Sequence, residues 1–143
     1  MNEAFDMLRA GAPSWNAWRK ENPKARPFFN FWDFKALGID FSDMNLRHVS
    51  FFNAELSGVN LSGADISYAD FRYAKLLHAD MRYVVADYPT FWLADLTYAD
   101  MSHAKLLNCN LEDALIHKLR LVNAEMTNSA RQLAKQRGAI IEE

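Results

Sequence analysis

From Ile39 to Asn128 the apolar and polar positions of the chain repeat in a beat of five that never slips. The segments read IDFSD, MNLRH, VSFFN, AELSG, VNLSG, ADISY, ADFRY, AKLLH, ADMRY, VVADY, PTFWL, ADLTY, ADMSH, AKLLN, CNLED, ALIHK, LRLVN and AEMTN. The first position is small or apolar throughout, as in Ala54, Ala64, Ala74 and Cys109. The third is almost always a large apolar residue, as in Phe41, Leu46, Phe71 and Leu96, with Ala86 the small exception. The other three positions are mostly polar or carry tyrosine. A beat of five matches neither a helix, which repeats about every 3.6 residues, nor a long strand, which repeats about every 2. Within each pentad, however, the two apolar residues stand at strand spacing. The pattern predicts a solenoid in which short extended pieces point two side chains inward and then turn a corner. No pentad can bury its apolar pair alone, so only stacked coils make a core.

The motif A(D/N)LXX, plainest in ADLTY, ADFRY, ADISY, ADMRY and ADMSH, resembles that of the pentapeptide-repeat family. The resemblance implies an all-β solenoid, a right-handed quadrilateral β-helix with four pentads per coil. Eighteen pentads would then make about 4.5 coils, and at about 4.8 Å per step a rod of roughly 22 Å. Short α-helical caps are expected at both ends, because a solenoid otherwise exposes core and unpaired backbone there.

This divides the chain into a helical and aromatic N-terminal cap over residues 1–38, a β-helix over 39–128 and a C-terminal capping helix over 129–143. Helical spacing is expected over Asn2–Ala10 and, after an N-cap at Ser14, over Trp15–Glu21. The run Phe28, Phe29, Phe31, Trp32 and Phe34 reads as a bulky plug over the first coil. Asn128 or Ser129 is the expected N-cap of the last helix, with Gly138 as its stop and Ala130, Leu133 and Ala134 against the last coil. In the resembled family the C-terminal end joins two rods in several members. A homodimer through this cap is therefore an open alternative to a monomer.

Composition narrows the function classes. Sixteen Lys and Arg balance eighteen Asp and Glu, for a net charge of −2, so there is no polybasic arm and no basic face for direct nucleic-acid binding. One cysteine excludes a disulfide framework and a cysteine-based zinc site. No apolar run has the roughly 18 residues of a membrane helix, and no signal-peptide core is visible. A cytoplasmic protein without membrane contact is the expectation.

With four pentads per coil, residues twenty apart stack on one face, and the outside can be mapped. Acidity is spread thinly over all four faces. The third carries the most unusual outward residues: Phe52, Arg72, Trp92 and Glu112 in one stack, with Asn53, Tyr73, Leu93 and Asp113 beside it. Arg72 is expected between the Phe52 and Trp92 rings. Phe52, Arg72, Tyr73, Trp92 and Leu93, with Val85 and Tyr88 a corner away, form a candidate partner-binding surface of the aromatic-plus-arginine kind. A ladder that only stiffens the rod would use the same residues. Ala86 and Pro89 mark the furthest departure from the motif, beside Trp92.

Chemistry finds little support. His48, His78, His103 and His117 fall on separate faces or two coils apart, about 10 Å, too far to share a metal with ligand bonds near about 2 Å. Cys109 occupies an inward position, and no nucleophile, base and acid converge. No cofactor is expected. A non-catalytic, rigid interaction module with an unidentified protein partner is the first reading. The alternative, implied by the resemblance, is a DNA-mimicking modulator of a type II topoisomerase such as gyrase. A rod without a strongly acidic face fits that alternative poorly.

Overall fold

The computed structural model describes residues 2–142. It is a right-handed quadrilateral β-helix carried between helical ends. Parallel bridges join Asn45 to Asp65, Asp65 to Val85, Val85 to Lys105 and Lys105 to Glu125, so one coil takes twenty residues. The bridging residue is the second of each pentad on every face. First and third positions turn inward and are buried, apart from the half-buried Ile39, Cys109 and Met126.

The corners explain the motif. In most pentads the second residue is Asp, Asn or Glu, and its side-chain oxygen accepts the backbone N–H of the fourth. Asp65 so holds Ser67 at 3.0 Å, Asp95 holds Thr97 at 3.0 Å and Asp100 holds Ser102 at 2.9 Å. Such a local carboxylate-to-backbone bond fixes the turn without a side-chain partner elsewhere. The fifth residue then takes the left-handed conformation, as at His48 (φ 62°), Tyr68 (60°), Tyr83 (63°) and Tyr98 (60°). That conformation costs an L-residue roughly 1–2 kcal/mol. Here ring stacking along the rod offsets it. Asn108 and Asp113 are not among these left-handed residues, and Tyr88 and Leu93 donate to their carbonyls, one residue further on than at other corners. The irregular step therefore lies one coil beyond the Ala86–Pro89 stretch that the sequence singles out, where the register holds and Ala86 stays buried.

Pairing reaches past the pentad run at both ends. Phe28 bridges Ser50 and Asp33 bridges Glu55, a step of twenty-two residues that the four-residue helix α3 (Phe34–Leu37) lengthens before the regular beat begins. At the other end Ile140 returns to bridge Arg120 after α4 (Asn128–Gln136). Ahead of the rod, α1 (Glu3–Ala10) is capped by the Asn2 side chain and α2 (Ala12–Glu21) starts directly from Gly11, with Pro13 in its first turn. Ser14 is thus inside α2 and not its cap, because Pro fits the first turn, where no N–H bond is needed. Thr127 caps α4 through Ala130 N–H at 3.2 Å, one residue before the expected Asn128. Ala134 is buried there, whereas Leu133 stays exposed.

The core is an aromatic column giving way to aliphatic ones. Phe29, Phe51, Phe71 and Phe91 follow one another down the third face, with Phe51–Phe71 at 5.3 Å and Phe71–Phe91 at 5.2 Å, nearly parallel. Trp15 seals the N-terminal end, its indole N–H donating to the Asn45 carbonyl at 2.7 Å. The expected plug forms only in part. Phe29 and Phe34 are fully buried, but Phe28 and Phe31 are 69% and 68% exposed, because Phe28 takes the outward bridging position opposite Ser50 and Phe31 a left-handed corner (φ 67°).

Candidate interaction surface

The exposed Phe31 opens a chain of rings along the third face. Phe31 meets Phe52 edge-on at 5.7 Å, Phe52 meets Tyr73 at 5.5 Å, and Tyr73 meets Trp92 at 5.3 Å. The contacts zigzag between fourth and fifth pentad positions, which is why each ring presents its edge to the next. Such T-shaped pairs contribute about 0.5–1.5 kcal/mol each beyond area burial. Phe31, Tyr73, Trp92 and Leu93 remain exposed, with Trp92 at 45% and Leu93 at 46%. Phe28 stands on the same face, through its bridge to Ser50.

Arg72 is not held between two rings. Its guanidinium lies over Phe52, 5.2 Å from the centroid, and forks onto Asp70 with bonds of 3.0 and 2.8 Å. Asp70, two residues earlier, is the nearest carboxylate and fixes the side chain on one side. Trp92 is left to Tyr73. The Asp70 bonds raise the Arg72 pKa further, so the surface keeps a cation at every accessible pH. Near Trp92 the face is shallowly concave, lined by Arg72, Pro89, Thr90, Asn110 and Asp113.

Val85 and Tyr88 stand apart from this chain. Val85 bridges Asp65 and Lys105 on the second face, and Tyr88 ends a separate stack, His48–Tyr68–Tyr88, with spacings of 4.9 and 5.9 Å. Similar stacks join His78 to Tyr98 at 5.1 Å and Tyr83 to His103 at 4.9 Å. His48, His78 and His103 are thereby engaged as flat corner residues, His117 meets Tyr98 edge-on at 6.1 Å, and among the described residues no three His, Cys, Asp or Glu side chains gather to hold a metal. Cys109 is half-buried rather than fully inward, and burial pushes its thiol up to about 12. It is a poor nucleophile at neutral pH.

Four of the eighteen acidic side chains are paired with arginines. Arg47 pairs with Asp65 at 3.2 Å, Arg72 with Asp70 at 2.8 Å, Arg82 with Asp80 at 2.7 Å and Arg120 with Asp100 at 3.7 Å. Phe31 is the one member of the ring chain that the pentad count misses. The usable signal was that Phe28, Phe29 and Phe31 have the spacing of Ser50, Phe51 and Asn53, the second, third and fifth positions of a pentad, at an offset of twenty-two residues in place of twenty.

The sequence profile for pentapeptide repeats matches residues 30–63, 45–82 and 94–129, as 8 copies in all. No curated protein sequence matches the chain. Among solved structures it is similar to Rfr23, a pentapeptide repeat protein of the cyanobacterium Cyanothece 51142, at 16% identity over 92% of this chain and 100% of that one, with a TM-score of 0.39. A pentapeptide repeat protein of the Arabidopsis thaliana thylakoid lumen is similar at 19% identity over 82% and 77%, with a TM-score of 0.38. QnrB1, a plasmid-mediated fluoroquinolone resistance protein, is similar at 15% identity over 76% of each chain, with a TM-score of 0.35. No helix among the described residues is long and apolar enough to cross a membrane.

Proposed function

The chain belongs to the pentapeptide-repeat family, and on that premise we propose that it is a non-catalytic, rigid module that binds a protein partner through its third face. The observation that supports this reading is the exposed ring chain Phe31–Phe52–Tyr73–Trp92 with Leu93 beside it. Each ring is fixed by the coil beneath it, so little side-chain freedom is lost when a partner covers the face. Large aromatic side chains on a pre-organised surface are the usual anchors of protein interfaces. Arg72, locked onto Asp70, adds a fixed charge next to the apolar strip, while Glu112 and Asp113 supply negative charge at its C-terminal end. The partner segment this face suits is apolar or aromatic at its centre and basic at the end that meets Glu112 and Asp113. We place this interaction in the cytoplasm.

A DNA-like surface suits the rod less well, since four of its carboxylates are already tied to arginines along the faces. The test is a pull-down from host lysate with wild type beside Trp92→Ala, bound proteins being identified by mass spectrometry. A partner captured by wild type and lost with Trp92→Ala supports the reading. A topoisomerase retained equally by both forms would overturn it and favour DNA mimicry.

A further inference from the structure

A cluster of cations closes one corner of the rod, away from the aromatic face, where α2 and the segment after it cross the second face. Arg19 is only 4% exposed. One of its terminal nitrogens donates to the Ala25 carbonyl at 3.1 Å and the other to the Arg47 carbonyl at 2.6 Å, while its Nε has no partner. Arg26 donates to the same Ala25 carbonyl at 3.2 Å and to that of Lys24 at 3.2 Å. Two guanidinium groups therefore converge on a single carbonyl oxygen. Lys20, Asn45, Arg47 and His48 complete the wall of the depression that Arg19 and Arg26 line.

Among the described residues no carboxylate pairs with Arg19 or Arg26, and the cluster's one ion pair is Arg47 with Asp65. A buried cation whose partners are two carbonyls and the face of the Trp15 ring, 5.9 Å from its guanidinium carbon, is expensive to keep without a counter-charge. Burial, then Arg26 and Arg47, lowers the Arg19 pKa. Burial, then Arg26, Arg47 and Arg19, lowers that of His48. The charge the corner lacks is negative.

The geometry points to a binding site for a phosphate-class oxyanion at this corner, held by Lys20 and Arg26 beside Arg47 and His48, with the buried charge of Arg19 behind them. Guanidinium forks match the oxygens of a phosphate group and several cations match its double charge, where a single carboxylate would leave the cluster positive. The site is independent of the third face and stands or falls without it.

Thermal unfolding of the full chain, in inorganic phosphate and in chloride at equal ionic strength, tests the assignment. Phosphate also stabilises proteins by exclusion from their surfaces, so Arg26→Gln, at an exposed residue, is run in parallel. The wild type should gain Tm with a saturating phosphate dependence, and the half-saturation point of Arg26→Gln should rise at least about tenfold, as for loss of one charge-assisted contact. Proton NMR of His48 gives a second reading, since an anion beside it should move its titration upward. Methyl phosphate distinguishes the sources: binding at least as tight as inorganic phosphate indicates a phosphomonoester, weaker binding indicates the free ion, and both support the site. An equal Tm gain in chloride, an unchanged dependence in Arg26→Gln, or a His48 titration unmoved by phosphate would overturn it.

Discussion

Replacing Phe71 by leucine removes an aromatic ring from the centre of the core column while keeping an apolar side chain of similar volume. Phe71 is fully buried and stacks on Phe51 at 5.3 Å (15°) and on Phe91 at 5.2 Å (11°). Two ring pairs at about 0.5–1.5 kcal/mol each, with a small packing loss, set the expected cost at about 1.5–3 kcal/mol. Phe71→Ala, which also opens a cavity, should cost about 4–5 kcal/mol. Equilibrium unfolding in urea reads both, provided the slope of free energy against denaturant is unchanged, since repeat proteins can lose two-state behaviour. The stronger test is the pair. Phe51→Leu with Phe71→Leu should show a coupling of about 0.5–1.5 kcal/mol, whereas Phe51→Leu with Ile116→Val, coils away, should be additive. A Phe71→Leu cost below about 0.5 kcal/mol, or no coupling to Phe51, would mean the column is only filler and the stacking argument is wrong.

Two further outcomes follow from the corners. Gly63 has φ +71°, and a Cβ there would lie 2.2 Å from Asp43 Oδ1, whereas Gly58, at φ +72°, has open space. Both alanine variants should lose about 1 kcal/mol from the left-handed conformation, with Gly63→Ala the worse and Asp43→Ala restoring it to the Gly58→Ala level in urea unfolding. Asp80 is held below the ordinary carboxylate range chiefly by its hydrogen bond from Arg82. A depressed folded pKa contributes stability above the unfolded value, near about pH 4, that is lost as pH falls through the folded value. Asp80→Asn should therefore flatten the acid limb of the Tm-versus-pH curve while changing little at pH 7, the pair being surface-exposed. An unchanged acid limb would mean that the bond does not persist in solution.

The coil count, the inward columns and the helical ends were legible because they depend on side-chain size at a fixed spacing. So was the second-position Asp or Asn, though its task, holding the fourth residue's N–H, required the backbone. What escaped the pentad count depends on offsets and competition. The first coil is two residues longer than the rest because α3 interrupts it, which hid Phe31 from the face it occupies. Arg72 has two rings and one carboxylate within reach, and only geometry decides for Asp70 and Phe52. The cation corner unites residues 19, 26 and 47, which lie on three elements and show no common period.

The third face is proposed to carry the partner. A photo-crosslinking phenylalanine analogue placed at Tyr73, and separately at Tyr83 on another face, measures this in host cells. Both are exposed corner tyrosines with φ near +60°, so the two sites differ in face and not in local backbone. A discrete crosslinked protein is expected from position 73 and is expected to be absent from position 83. The same product from both positions, or from 83 alone, would contradict it.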